Sequence, residues 1–159
     1  MAKNELKNFD FPEGKVLAGK YVVESQLGRG WEGEVYKIRE IKTGIPRAAK
    51  FYYPIRNPGG RTVVRYSQKL NRLADCRIIM QYAHQDWITF RRQRVEFLVS
   101  EYIEGEVLKD YLARQPGKRL HPFEALHILE ALCRGMQTVH KMREYHGDIH
   151  TGNIMIQRK

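Results

Sequence analysis

Apolar and polar residues alternate in three short runs near the start of the chain, YVVESQL (21–27), EVYKIRE (34–40) and AAKFYY (48–53). A period of two puts alternate side chains on opposite faces of a pleated strand, so each run predicts a strand. GRGWEG joins the first two and KTG lies between the second and third, which predicts an antiparallel meander. PIRNPGG (54–60) is a breaker-rich loop. The period then changes. Val63, Tyr66, Leu70 and Leu73 recur at helical spacing, with Arg61, Arg65, Lys69 and Arg72 on another face. DWITF (86–90) and VEFLVSEYI (95–103) return to strand composition. Beyond Gly105, EVLKDYLAR predicts a short helix, QPGKRLHP a loop, and Pro122 suits the first turn of a longer helix. That helix carries an apolar stripe of Leu126, Leu129, Leu132, Cys133, Met136 and Val139, running to Met142. Gly135 inside it is expected to mark close packing. The expected class is α+β: five strands with one helix after the third, then mostly helix, divided near Ile103–Gly105.

Composition narrows the classes. At 159 residues and 42% hydrophobic, the chain can bury one core or two small lobes, and 29% charged residues argue against wholesale disorder. No apolar run approaches the roughly 20 residues of a membrane span. Residues 1–10 lack a signal-peptide core, so a cytoplasmic protein is expected. Cys76 and Cys133 have no CxxC partner and read as structural thiols of a reduced compartment. The net charge of +10 is uneven: no acid lies between Glu40 and Asp75, and Arg91, Arg92 and Arg94 form a second basic cluster. Such a field attracts phosphate; a solvated face is the alternative. The basic helix lacks the interleaved aromatics of a recognised nucleic-acid binder, so no nucleic-acid partner is expected.

Three stretches carry candidate chemistry. Gly28, Gly30 and Gly33 match GxGxxG, where glycine lets backbone N–H groups approach a phosphate. A strand follows the last glycine, which rejects a dinucleotide-binding site and leaves a flexible hairpin turn as the alternative. Lys50, after Ala48 and Ala49, either needs an anionic partner in a buried strand or points to solvent from an edge. In HGDIHTGN, Asp148 could accept a proton from a hydroxyl and Asn153 could ligate Mg²⁺. His146 and His150 have no third soft ligand nearby, which argues against zinc.

Taken in order, Gly28-x-Gly30-x-x-Gly33-x-Val35, AAK, SEY and HGDIHTGN resemble the ordered signatures of protein kinases. The lead-in GKYVVESQLGRGWEGEVYKI is similar to the opening of a bacterial serine/threonine kinase domain, and the resemblance runs from Val16 to the last residue. It implies a protein-kinase-like fold: a five-stranded antiparallel N-lobe with one helix and the hinge (1–103), then the first helices and catalytic loop of a C-lobe (104–159). It further implies ATP phosphates covered by Gly28, Gly30 and Gly33 and paired with Lys50. Leu27, Val35, Ala48 and Met155 would enclose the adenine. Backbone groups of Glu101 and Ile103 would read its edge beside the gatekeeper Ser100. Asp148 would be the catalytic base and Asn153 a Mg²⁺ ligand, in phosphate transfer from ATP to a protein serine or threonine.

Departures from the family pattern are equally specific. Tyr66 stands where the first helix of a kinase carries the glutamate paired to the lysine. That helix holds no acid, so any acidic neighbour of Lys50 must come from elsewhere. Gly147 replaces the arginine of HRD, which speaks against control by a phosphorylated activation loop, and His150 stands in place of a lysine. HGDxHxxN is closer to aminoglycoside and other small-molecule phosphotransferases. A small-molecule kinase is therefore one alternative, and a non-catalytic, pseudokinase-like module binding nucleotide or a partner chain is another. The DFG aspartate is not reached within the 159 residues. The expectation is a truncated chain with an incomplete Mg²⁺ site, inactive by itself. Its bare C-lobe helix would favour self-association or a covering partner chain.

Overall fold

Residues 6–157 are described by the computed structural model; the polar start, residues 1–5, lies outside them. All five expected strands are present: β2 (Tyr21–Arg29), β3 (Gly33–Glu40), β4 (Pro46–Tyr52), β5 (Tyr82–Phe90) and β6 (Gln93–Glu101). They form one antiparallel sheet in the order β1-β2-β3-β4-β6-β5, with β1 (Val16–Leu17) added at one edge. Two residues cannot display an alternation, which is why β1 escaped the pattern. Helix α1 (Arg61–Arg72) enters between β4 and β5 in chain order, as its spacing predicted.

Register decides what each face of this sheet carries. Tyr36, Ile38, Ala49, Phe51, Val95, Phe97 and Val99 form a fully buried layer on one face. Residues upstream of every strand close that layer. Phe9 and Phe11 stack with centroids 5.4 Å apart, and Phe11 meets Phe51 edge-on at 5.1 Å. Such aromatic pairs add to the burial of their area. On the other face, Val63 of α1 packs with Tyr52 and Leu98.

Inside the aromatic layer sits a carboxylate. Glu34 has 0% exposure and accepts from the Phe9 N–H (2.9 Å), the Tyr53 hydroxyl (3.0 Å), the Gln26 amide (3.2 Å) and the Tyr36 hydroxyl. The Arg29 guanidinium lies 3.2 Å from the same carboxylate. A buried charge is tolerated only when paired and fully hydrogen-bonded, and here the donors come from the N-terminal segment, β2, β3 and the residue after β4.

Contacts group the described chain into two units. The first runs to Asn71 and resumes over Gln81–Tyr102; the second holds Arg72–Met80 and the residues from Ile103 onward. The expected division near Ile103–Gly105 places residues 72–80 in the first. They join the second because Cys76 Sγ reaches the Gly135 carbonyl (3.6 Å) and Arg72 pairs with Glu144. Gly135 does mark a close approach: a Cβ there would fall 2.0 Å from Ile78 Cδ1.

The second unit contains β7 (Gly105–Val107), α2 (Leu108–Arg114), α3 (Pro122–Lys141) and β8 (Met155–Gln157), with β7 and β8 paired antiparallel. Helix α3 starts on a capping box: His121 accepts from the Phe123 N–H while Glu124 accepts from the His121 N–H. Its stripe is covered unevenly, since Val139 is buried while Leu126 and Leu129 are 61% and 56% exposed. Among the described residues no helix is long and apolar enough to cross a membrane.

The Glu34 cluster makes stability depend on alkaline pH. Burial, then the hydrogen bond to Glu34, pushes the Tyr53 hydroxyl from its ordinary 10.0 up to about 12, and burial with the same carboxylate raises Tyr36 as well. Between those values the folded chain keeps a proton that the unfolded chain has lost. The contribution is whole below pH 10 and disappears as pH rises through about 12. Urea melts across this range, followed by phenolate absorbance, should show stability falling. Tyr53→Phe should cost about 1 kcal/mol at neutral pH and make the alkaline fall shallower.

Candidate functional site

Cross-strand pairing places several candidate residues on one face of the sheet. Gly28 opposes Val35, Val35 opposes Lys50, and Ala48 opposes Ser100, and directly opposed residues share a face. Between β2 and β3 the chain turns through Gly30-Trp31-Glu32, closed by the Gly30 N–H to the Gly33 carbonyl (2.9 Å). Arg56 lies over the exposed Trp31 ring at 4.6 Å. The three glycines differ in what requires them. A Cβ at Gly33 would fall 1.8 Å from the Phe51 carbonyl oxygen, so β3 and β4 could not pair with any larger residue there. At Gly28 and Gly30 a Cβ would meet nothing within 4 Å, and neither has a left-handed φ. Packing explains the third glycine and leaves the first two bordering open space.

Lys50 is half-buried and not alone. Its Nζ lies 2.5 Å from Glu32 Oε2, and over the rings of Tyr52 (4.9 Å) and Tyr66 (5.6 Å). The other Glu32 oxygen, Oε1, accepts from the Tyr66 hydroxyl at 3.3 Å. Burial first, then the Glu32 charge, raises the Tyr66 hydroxyl above its ordinary range, which keeps it a donor. The acid beside Lys50 thus comes from the glycine hairpin and not from α1. Glu32 precedes the first paired residue of β3, so strand alternation does not dictate where its side chain goes. The expected helix position, Tyr66, is at the lysine but supports it indirectly.

Further along this face, the Glu101 N–H donates to the Gln81 carbonyl (2.9 Å), while the Glu101 carbonyl meets the hydroxyl of buried Ser100 at 3.3 Å. Of the Glu101 backbone groups, that carbonyl has capacity for a further donor. Leu27 is exposed, and Val35 and Ala48 are half-buried.

In the second unit, Ile103 is half-buried and Met155 is exposed at the start of β8. The loop before β8 is held to α2 by backbone bonds from the Leu108 and Lys109 N–H groups to the Ile154 and Thr151 carbonyls. Asn153 and Asp148 meet directly: Asn153 Nδ2 donates to the Asp148 carbonyl (3.0 Å) and to Asp148 Oδ2 (2.8 Å). His150 Nε2 lies 3.7 Å from the same carboxylate oxygen. Asp148 remains exposed, so its carboxylate can reach an incoming hydroxyl. Gly147 has a left-handed φ of +84°, a conformation that would strain an arginine at this position.

The donors test what this loop could hold. With Nδ2 turned to Asp148, Asn153 has Oδ1 left for a hard cation. Among the described residues no group of three or more His, Cys, Asp or Glu side chains surrounds a metal position. Mg²⁺ takes six oxygens and keeps several waters, so Asn153 suits one position and phosphate oxygens would have to supply others. Glu32 is the participant that the sequence reading did not single out. A polar acid within GRGWEG, combined with an acid-free α1, was the available signal.

The protein kinase domain family matches residues 21–159. The serine/threonine-protein kinase PrkC of Bacillus subtilis is 31% identical over 147 residues, covering 90% of this chain and 22% of PrkC. The probable serine/threonine-protein kinase YbdM of the same organism is 28% identical over 152 residues, 93% of this chain and 57% of YbdM. The chain therefore spans only part of each relative. Among solved structures, a mutant kinase domain of Mycobacterium tuberculosis PknI superposes with a TM-score of 0.73 at 20% identity, over 95% of this chain and 58% of that one. This likeness supports the fold: an antiparallel sheet with its helix, followed by helices.

The glycines should separate in a stability measurement. Gly33→Ala must push β3 from β4 and should cost about 3 kcal/mol in urea unfolding. Gly28→Ala meets open space and should stay within about 0.5 kcal/mol of the parent. Equal costs would contradict the division between packed and open glycines.

Proposed function

The chain belongs to the protein kinase family, and from that premise we propose that it serves phosphate transfer from ATP to a serine or threonine hydroxyl of a protein. The observation that carries this reading is the sheet face on which Gly28, Val35, Ala48 and Lys50 come together beside an open glycine hairpin. At Gly28 and Gly30 no Cβ intervenes, so phosphate oxygens can come close to the hairpin backbone. Lys50 donates one N–H to Glu32 and has two more for phosphate. Leu27, Val35 and Ala48 offer apolar contact to the adenine, and the Glu101 carbonyl offers a hydrogen bond to its edge.

Asp148 accepts the hydroxyl proton as the acceptor oxygen bonds to phosphorus and the bond to the ADP oxygen breaks. Asn153 holds that carboxylate through Nδ2 and has Oδ1 for Mg²⁺, which when bound neutralises phosphate charge. The free thiols of Cys76 and Cys133 support a reducing compartment such as the cytoplasm.

Transfer of radiolabelled phosphate from ATP to a serine- and threonine-bearing acceptor protein tests the reading, measured on a chain that also carries the DFG aspartate, which the 159 residues do not reach. Asp148→Asn should lower the rate by about 10²–10⁴. Lys50→Ala should weaken ATP while leaving adenosine binding unchanged. Turnover that survives Asp148→Asn would sink the assignment, and transfer to an aminoglycoside instead of protein would move the acceptor to small molecules.

A further inference from the structure

We infer that Glu32, in the glycine hairpin, is the positioning residue for Lys50, with Tyr66 of α1 as its brace. The inference rests on the proposed nucleotide site for its purpose, but on the geometry of the side chains for its existence. Both oxygens of Glu32 are used, one by Lys50 Nζ at 2.5 Å and the other by the Tyr66 hydroxyl at 3.3 Å. The pair is shielded, with side chains 31% and 18% exposed, where a charge pair is stronger than at an open surface. Tyr52 and Tyr66 present their rings to the ammonium at 4.9 and 5.6 Å, which restricts it to a small volume. The backbone that carries Glu32 is itself anchored, its carbonyl accepting from the Tyr53 N–H at 2.9 Å.

No residue of α1 could do this work, because the helix RTVVRYSQKLNR contains no acid. The lysine is therefore set by the element that borders the phosphate space. Movement of the hairpin and orientation of Lys50 become one event, and α1 contributes a neutral hydroxyl in place of a charge. Because the carboxylate engages one ammonium proton, the other two stay available to an anion.

Two readouts on the full chain test this. The first is the rate at which an amine-reactive acylating reagent labels Lys50 without nucleotide, quantified by peptide mass. The second is affinity for ATP against affinity for adenosine. Glu32→Gln should raise Lys50 labelling several-fold and weaken ATP about tenfold with adenosine unchanged. Tyr66→Phe should move both readouts in the same direction by less. Glu32→Gln combined with Tyr66→Glu returns a carboxylate within reach of Lys50 and should restore both, which a merely structural role would not allow. Unchanged labelling in Glu32→Gln would overturn the inference. So would tighter ATP binding, since it would make Glu32 a competitor of phosphate. If labelling follows the expected pattern while no form binds nucleotide, the lysine clamp stands and the phosphotransferase reading falls.

Discussion

A buried carboxylate organises the first unit. Glu34 can sit at zero exposure only while its donors remain in place. Those donors lie on the N-terminal segment, on β2, on β3 itself and just after β4. Losing the N-terminal segment, β2 or the residue just after β4 would remove at least one partner of this buried carboxylate within an aromatic layer. The price of burying Glu34 thus enforces one arrangement of chain start and hairpin. Phe9 and Phe11 then complete the layer beneath the sheet.

This constraint reaches the opposite face through two residues of chain. Glu34 and Glu32 flank Gly33, whose missing side chain lets β3 lie against the Phe51 carbonyl. One acid faces inward and stabilises the hairpin root, while the other extends to Lys50. Lys50 is thereby neutralised locally, within a chain of high positive charge. Elsewhere the excess is answered in part at the surface: Arg94 pairs with Glu96, and Arg72 with Glu144. Exposed pairs of this kind contribute little to stability. Arg91 and Arg92 occupy the left-handed turn between β5 and β6.

In the second unit, a short sheet and backbone bonds position a loop that helix packing alone would not. Gly105 admits β8 so closely that a Cβ would lie 2.1 Å from the Ile156 carbonyl oxygen. The β7–β8 pair, together with the bonds from α2, holds the C-terminal side of the loop on which Asp148 and Asn153 meet. Exposed Leu126 and Leu129 on α3 show that amphipathic spacing marks an apolar face without saying what covers it.

The sequence by itself determined the local periods, and with them the five strands, the three helices and the order of the motifs. Period-two and period-3.6 patterns are properties of neighbouring residues, and turn glycines act over a few positions. It also specified a negative fact, that no acid in α1 could meet Lys50. Only the tertiary structure decided which acid does. Glu32 lies 18 residues from Lys50 and 34 from Tyr66 in the chain, and their meeting depends on strand register and on where α1 packs. The same holds for Glu34, 25 residues from Phe9. The two-residue β1 and the three-residue β7 and β8 were likewise invisible, because such short strands are defined by their partners and not by their own composition. Long-range pairing of charges follows from geometry that no local pattern encodes.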